Sequence, residues 1–415
     1  MKNLIMFLLL VVLFILINKI AYASGFAVYT HGAKELGMLN AVVAHTEGPA
    51  SNFYNPALLT KLEGTQLEIG TTLIFTDREF KSDLTGKTTD GDDDVHFPST
   101  FYISHQLNDQ FVIGFGFFTP FGLGTKWPND WEGRYITTEG ELMTFDFNPN
   151  IAWKISDRLS FSGGIDYLYG DSTLKRKINL SLMGLPDGKQ KFDGDGDGWG
   201  YNIGANLSLT EKVSLGFSYR SQIDLDLEGD VKFNVPSGTP PIFNNTDGDV
   251  ELKLPARISF GLSYQVNNKL LVELSGRWED WSVFDDLVYK FDDAPVAGGE
   301  STLVEPKDWD DTWGGMIGAR YNLSPTFIVS VGYLHEENPI PDETFEPLIP
   351  DSDKDMFSIG FQKIIDKYNI AFTYIYALYD DSDKDNLVGA EFGSTANGEY
   401  SQVAHFLSGS LQINF

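Results

Sequence analysis

The stretch "YNIAFTYIYALY", residues 368–379, decides the fold. Its even positions are Tyr368, Ile370, Phe372, Tyr374, Tyr376 and Leu378, and its odd positions are Asn369, Ala371, Thr373, Ile375, Ala377 and Tyr379. A period of two belongs to a β-strand, whose successive side chains point to opposite faces. One face here is greasy and aromatic; the other is mostly small or polar. The alternation returns in "VSLGFSYR" (213–220) and "ISFGLSYQ" (258–265). In "TFDFNPNIAWKI" (144–155), Phe145, Phe147, Ile151, Trp153 and Ile155 stand against Asp146, Asn148, Asn150 and Lys154. A soluble sandwich also alternates, but its apolar face is enclosed and rarely so aromatic. An outer-membrane barrel inverts the arrangement, with apolar residues toward lipid and polar ones toward the lumen. In lipid, only a closed barrel satisfies every backbone group of a sheet.

The connections count the strands. Short turns fall at "NDQ" (108–110), "SDR" (156–158), "TEK" (210–212), "VNNK" (266–269), "NLSP" (322–325) and "DKY" (366–368). Between them run long, acidic, Gly/Pro-rich segments such as 81–98 and 291–311. Six short turns alternating with seven long loops make fourteen strands, with the short turns periplasmic and the long loops outside. The expected fold is therefore all-β: a 14-stranded antiparallel transmembrane β-barrel over 65–415. The closing "FLSGSLQINF" puts Leu407, Leu411, Ile413 and Phe415 on one face and ends on Phe, an ending that barrel-assembly machinery recognises.

Composition points to the same compartment. Residues 1–23 read as a signal peptide, with Lys2, an apolar run from Leu4 to Ile17 and the small residues Ala21 and Ala23 before the cut. No other stretch has the roughly 20 apolar residues of a membrane helix. The chain has no cysteine, hence no disulfide and no thiolate metal site. Its formal charge is −29, two units more negative without Lys2 and Lys19. Such acidity argues against a nucleic-acid partner.

Three motifs invite chemistry and yield little. "FDGDGDGWG" (192–200) opens like a calcium loop, but Gly204 stands where the bidentate Glu belongs, so an acidic outer loop is the better reading and no metal site is expected. "YGDSTL" (169–174) resembles an esterase nucleophile motif around Ser172, yet the six histidines are scattered and none matches a triad. "GFGFF" (114–118) is followed by no helix and is no nucleotide loop. The luminal register instead collects Asp146, Lys154, Asp166, Arg220, Glu273, Arg277, Glu279 and Arg320. Most would form ion pairs, while Arg220, Arg277 or Arg320 offers a guanidinium fork suited to a carboxylate.

Other stretches carry a family resemblance. "GFGFFTPFGLGTKWPNDWEGRY" (114–135) resembles the signature region of the FadL/TodX family of outer-membrane hydrophobic-compound transporters. "NPA" (55–57), "GWGYNIG" (198–204), "LPARISFGLSY" (254–264), "WEDWS" (278–282), "KDWDDT" (307–312), "PIPD" (339–342) and "FSIGF" (357–361) follow in family order. The resemblance implies an N-terminal hatch inside the barrel, here residues 24–64, with Gly25, Phe26, Phe53, Tyr54, Asn55, Pro56 and Ala57 among its members. It also implies an apolar outer groove, an interior pocket and a lateral exit beside a kinked third strand. Gly114, Gly116, Phe118 and Pro120 are the candidates for that exit. Leu180, Leu182, Met183 and Leu185 of the apolar "LSLMGLPDG" (180–188) are candidate groove residues that match no family motif.

The function this implies is passive uptake of hydrophobic molecules, foremost long-chain fatty acids, with no cofactor. An aromatic-hydrocarbon channel is the alternative within the class; an esterase or a structural, adhesive barrel are the alternatives outside it. Outer-membrane lipid, lipopolysaccharide and the barrel-assembly machinery are the expected partners besides the solute.

Overall fold

A computed structural model describes residues 25–92 and 94–415; the expected signal peptide, 1–23, lies outside the described residues. Fourteen strands close into one antiparallel barrel. They are β1 (Thr65–Ser82), β2 (Ser99–Gln106), β3 (Phe111–Phe118 and Gly122–Lys126), β4 (Glu139–Ser156), β5 (Leu159–Ile178), β6 (Gly188–Ser208) and β7 (Val213–Arg220 and Ile223–Asn234). Then follow β8 (Thr246–Leu254 and Arg257–Gln265), β9 (Leu270–Glu279 and Asp286–Phe291), β10 (Thr302–Pro306 and Thr312–Ser324), β11 (Phe327–Glu336), β12 (Lys354–Ile365), β13 (Tyr368–Tyr379) and β14 (Gly398–Asn414). Each pairs with the next, and β14 returns to β1 from Gln66↔Asn414 to Ser82↔Gly398. All six expected short turns join neighbouring strands at one end, and all seven long connections lie at the other.

The alternation faces as its chemistry demands. In β13 the even positions Tyr368, Ile370, Phe372 and Leu378 are exposed on the outside, while Ala371, Ile375 and Ala377 are buried within. Phe147, Ile151, Trp153 and Ile155 form the matching outer face of β4.

One expectation needs correcting. The "FDGDGDGWG" stretch is no loop but the middle of β6, paired with β5 at Asp193↔Thr173 and with β7 at Asp193↔Asp230. Its glycines permit close approach rather than a turn: a Cβ on Gly196 would lie 1.7 Å from Asp226 O. Along the outer face of β6, Asp193, Asp195 and Asp197 give way to Trp199, Tyr201 and Ile203. That step from carboxylate to aromatic marks the rim of the apolar band, where amphipathic rings settle. On β1 the same step lies between Phe75 and Asp77.

The residues before β1 fill the interior. They form helix α1 (Ala33–Leu36), helix α2 (Ser51–Tyr54) and a 3-10 turn (Pro56–Lys61), and nearly all of 30–59 is buried. Their bonds reach much of the wall: Lys34 to Glu68 of β1 at 2.8 Å, Asn52 to Asn148 of β4 at 3.0 Å, Asn55 to Ala205 of β6 at 3.0 Å, and Ala44 to Glu273 of β9 at 2.8 Å. Pro56 opens the 3-10 turn at its first position, where no N–H is needed. Asn55 caps it, its Oδ1 accepting from Ala57 N at 3.2 Å.

Candidate functional site

The wall is irregular at β3. Phe118 pairs with Asp146, but Gly122 pairs with Met143, so four residues of β3 span three of β4. The extra residue makes a bulge that reverses the alternation. Gly114, Gly116 and Phe118 face inward before it, and Leu123 and Thr125 after it. Thr144 pins the bulge, its Oγ1 donating to Phe121 O at 2.6 Å and accepting from Phe121 N at 3.1 Å. The N-terminal segment completes the broken ladder: Val28 N donates to Pro120 O at 2.8 Å and Gly122 N to Phe26 O at 3.0 Å. On the other side, the β2–β3 ladder runs only to Phe101↔Phe117, and β2 has no partner on the outer half of β3.

A cavity of about 460 Å³ occupies this gap, within the size range of small-molecule sites. It is lined both by outward-facing residues (Val95, Phe97, Phe117, Met143, Phe145) and by Leu36 and Leu39 of the interior segment. The space therefore runs through the wall. Phe97 is 69% exposed at its outer mouth. A second cavity of about 70 Å³ lies toward the long-loop end, among Phe192, Leu227, Leu252, Phe284 and Tyr289. Phe26 borders both, packed in a ring cluster with Phe121, Trp281, Phe284 and Trp309 at centroid distances of 4.8–6.2 Å. Gly25 lines the larger cavity against Trp309, which a Cβ would meet at 2.6 Å.

The expected site residues divide. Phe53 and Tyr54 are buried among His31 and Phe118, inside the barrel. Pro56 and Ala57 are buried in the 3-10 turn, and Ser160 Oγ holds Ala57 O at 3.0 Å. Gly114 and Gly116 point inward, but a Cβ there would strike Asn52 at 2.4 and 2.9 Å. They make room for the segment. Neither they nor Phe118 and Pro120 line the large cavity. The glycines at the opening are Gly122 and Gly124, the latter accommodating the His96 ring.

Leu180 is buried, whereas Leu182 and Met183 project into the open from a short 3-10 turn; with Leu185 they line neither cavity.

The three arginines offered for a carboxylate already hold one. Arg220 pairs with Asp166 and lies 3.6 Å from Asp146; Arg277 pairs with Glu336 and stacks 3.5 Å over the Tyr29 ring; Arg320 meets Glu47 at 3.0 Å. Each ion pair answers the desolvation of a buried charge. Lys307, near the smaller cavity, behaves likewise: burial disfavours its charge, but Glu346 and Glu305 more than restore it and raise its pKa. Ser172 lies in β5, with Leu142 and Gly194 as its strand partners, which supplies no nucleophile's base. The residues missed by sequence reasoning are Arg78, His96, Gln402 and Lys354, which line the cavity from strand ends and a long loop.

Comparison with known proteins gives the relatives. A family model described as "Outer membrane protein transport protein (OMPP1/FadL/TodX)" matches residues 14–415. A long-chain fatty acid transport protein of Escherichia coli O6:H1 is 23% identical, over 83% of this chain and 84% of that protein. Outer membrane protein P1 of Haemophilus influenzae is 20% identical, over 77% and 75% respectively. Among solved structures, a Pseudomonas aeruginosa FadL homologue superimposes with a TM-score of 0.84 at 18% identity, covering 94% of this chain and all of the other. The Pseudomonas putida toluene transporter TodX does so with a TM-score of 0.74 at 18% identity, covering 92% and 98%.

Proposed function

This chain belongs to the outer membrane protein transport family OMPP1/FadL/TodX, whose members are outer-membrane channels for hydrophobic compounds and not enzymes, and on that premise we propose that it takes up long-chain fatty acids passively. Solute enters at the long-loop end, passes the Phe26 ring cluster into the large cavity, and leaves sideways between β2 and β3. The observation that carries this reading is the cavity that traverses the wall at the β3 bulge. A greasy molecule loses little by stepping from there into lipid and much by stepping into water. The N-terminal segment acts as a hatch that closes the straight route through the lumen. The acidic outer rim lies among lipopolysaccharide phosphates, and the terminal Phe415 is the mark read by the assembly machinery.

The test is uptake. Gly122→Phe places a ring in the opening, where a Cβ already meets Val28 at 3.3 Å. Cells carrying it should fold the barrel yet take up labelled oleate several-fold more slowly. Full uptake through a correctly folded variant would place the exit elsewhere. A second reading, uptake of aromatic hydrocarbons, is supported by the five-ring cluster around Phe26.

A further inference from the structure

The lipid-facing wall is not smooth. A groove of about 470 Å³ crosses β6, β7, β8 and β9 on the outside, three strands from the opening at β3. Its volume falls within the range of small-molecule sites. Strand register builds it. Leu207, Leu215, Leu262 and Leu274 stand abreast as one bank. Ala205, Phe217 and Phe260 form the other, two residues nearer the long-loop end. Between the banks the floor is bare backbone, because Gly216, Gly261 and Ser275 turn their side-chain positions inward. Ser275 Oγ donates to Glu273 at 3.0 Å in the lumen, and a Cβ on Gly216 would lie 1.9 Å from Val43 O of the interior segment. Leu207, Leu215, Phe217 and Phe260 are 37–43% exposed, whereas Leu274 on the same face is only 8% exposed. The surface therefore dips toward β9.

Depth and charge name the occupant. Leu215 is the third residue of β7, and Leu262 stands three residues before the end of β8. The groove thus lies roughly 7–10 Å above the short turns. A hydrocarbon layer is about 30 Å thick, so this is its half nearer those turns. Short turns of outer-membrane barrels face the periplasm, and the leaflet on that side is phospholipid. Tyr264 pairs with Val213 and Val272 one row below the leucines, on the same face, as a ring of the interfacial girdle does. Lys212 and Lys269 follow in the turns. Both are exposed, and neither ammonium has an ion pair or hydrogen bond among the described residues. Glu211 is the one acid in these two turns, 210–212 and 266–269. They are net positive on a chain whose formal charge is −29, which suits a phosphate.

We propose that this groove holds one phospholipid of the periplasmic leaflet. An acyl chain lies over Gly216 and Gly261, between the leucine and phenylalanine banks, and the phosphate meets Lys212 and Lys269. This goes beyond the transport reading and does not depend on it. The bound molecule is a resident lipid rather than a solute in transit, because the floor is closed: the ladder from β6 to β9 is unbroken, and the interior segment backs it. Bulk lipid chains are as apolar as leucine, so no hydrophobic gain selects this chain. Closer packing in a concave wall and the phosphate contacts do.

The experiment is lipid retention by purified full-length protein in an alkyl maltoside, read by native mass spectrometry. The probes are dioleoyl phosphatidylglycerol and dioleoylglycerol, its counterpart without phosphate. Wild type should bind a first phosphatidylglycerol about tenfold more tightly than later ones, and prefer it to dioleoylglycerol. Ala205→Trp, which sets a ring in the groove from a lipid-facing position, should abolish that first step and leave the later ones. Val331→Trp, an equally lipid-facing change on β11, should leave it intact. Lys212→Gln combined with Lys269→Gln, both in exposed turns, should weaken phosphatidylglycerol about ten- to thirtyfold and dioleoylglycerol little. A first step that survives Ala205→Trp would overturn the inference, as would equal loss in Val331→Trp, the mark of nonspecific annular lipid. Dioleoylglycerol held by wild type as tightly as phosphatidylglycerol would overturn it too, leaving a bare apolar dent. Oleate that displaces phosphatidylglycerol at equal concentration would make the groove a solute site and overturn it likewise.

Discussion

Replacing Asn55 tests whether the N-terminal segment is a separately held part. Asn55 is fully buried. Its Nδ2 donates to Val43 O at 2.8 Å and Ala205 O at 3.0 Å, and its Oδ1 caps Ala57 N. Asn55→Ala leaves the Val43 carbonyl and the Ala57 N–H without this partner. Water has little room to replace it, because Val43 O lies so near β7 that a Cβ on Gly216 would come within 1.9 Å. Each orphaned group costs about 1–3 kcal/mol, so the pair costs the docked segment about 3 kcal/mol, a shift of roughly 150-fold. The barrel ladder is untouched. Hydrogen exchange read by mass spectrometry should therefore show protection of residues 25–62 falling by about two orders of magnitude, with strand amides as the internal reference. Asn55→Asp is the sharper variant. It keeps the acceptor for Ala57 N but turns a carboxylate oxygen toward two carbonyls, so near neutral pH it should be worse than Ala and should improve as acid protonates it. An Asp variant as well protected as wild type would refute the argument, as would equal loss throughout the barrel.

Topology is checked by single cysteines in a chain that has none. Asp92→Cys in a long loop should label from outside intact cells and Asn108→Cys in a short turn should not; equal labelling would mean the barrel is oriented otherwise. A pH dependence follows from two buried groups of the segment. Burial, with Lys34 opposing it, raises the Glu35 pKa to about 8, while on His45 burial is outweighed by Glu273 and Glu47, giving about 9. Both folded-state values lie above the unfolded ones, so their stabilisation is full below the unfolded pKa and is lost as pH rises through about 8 and 9. Segment protection should decline over that window, and His45→Gln should flatten the upper part of the decline.

The barrel was legible because its signal is repeated fourteen times and has one cause, lipid on the outside. Each strand restates the alternation, and each short turn restates the hairpin. The acidic run in β6 was misread because Asp-Gly repeats look alike in a loop and in a strand that must admit a neighbouring backbone. Beyond the lipid rim the outer face need not be apolar, so Asp193, Asp195 and Asp197 keep the period while losing its hydrophobic label. The arginines were placed in the lumen, but which of them already holds a carboxylate was not legible. Whether Arg220 or Arg78 has a carboxylate at hand depends on strands far apart in sequence: Asp166 lies 54 residues before Arg220, and no acid on β14 faces Arg78. Residue type reveals a guanidinium; only register reveals whether it is already satisfied.

The opening after the bulge follows the same logic, and it explains why one wall can be both sealed and open. Glycine in a strand says that something comes close, not what. Before the bulge the close object is the segment's Asn52, and the β2–β3–β4 ladder is continuous, so that stretch is sealed. After it the alternation is reversed and β2 has left, so Gly122 and Gly124 border space instead of protein. One inserted residue, held by the Thr144 hydroxyl and by the backbone of Phe26 and Val28, accompanies the break in the ladder of the barrel wall. The segment that fills the interior is thus bonded to the edge of the opening. Loosening it should perturb the opening as well as the filled lumen, so filling of the lumen and shape of the opening are properties of the same thirty-odd residues.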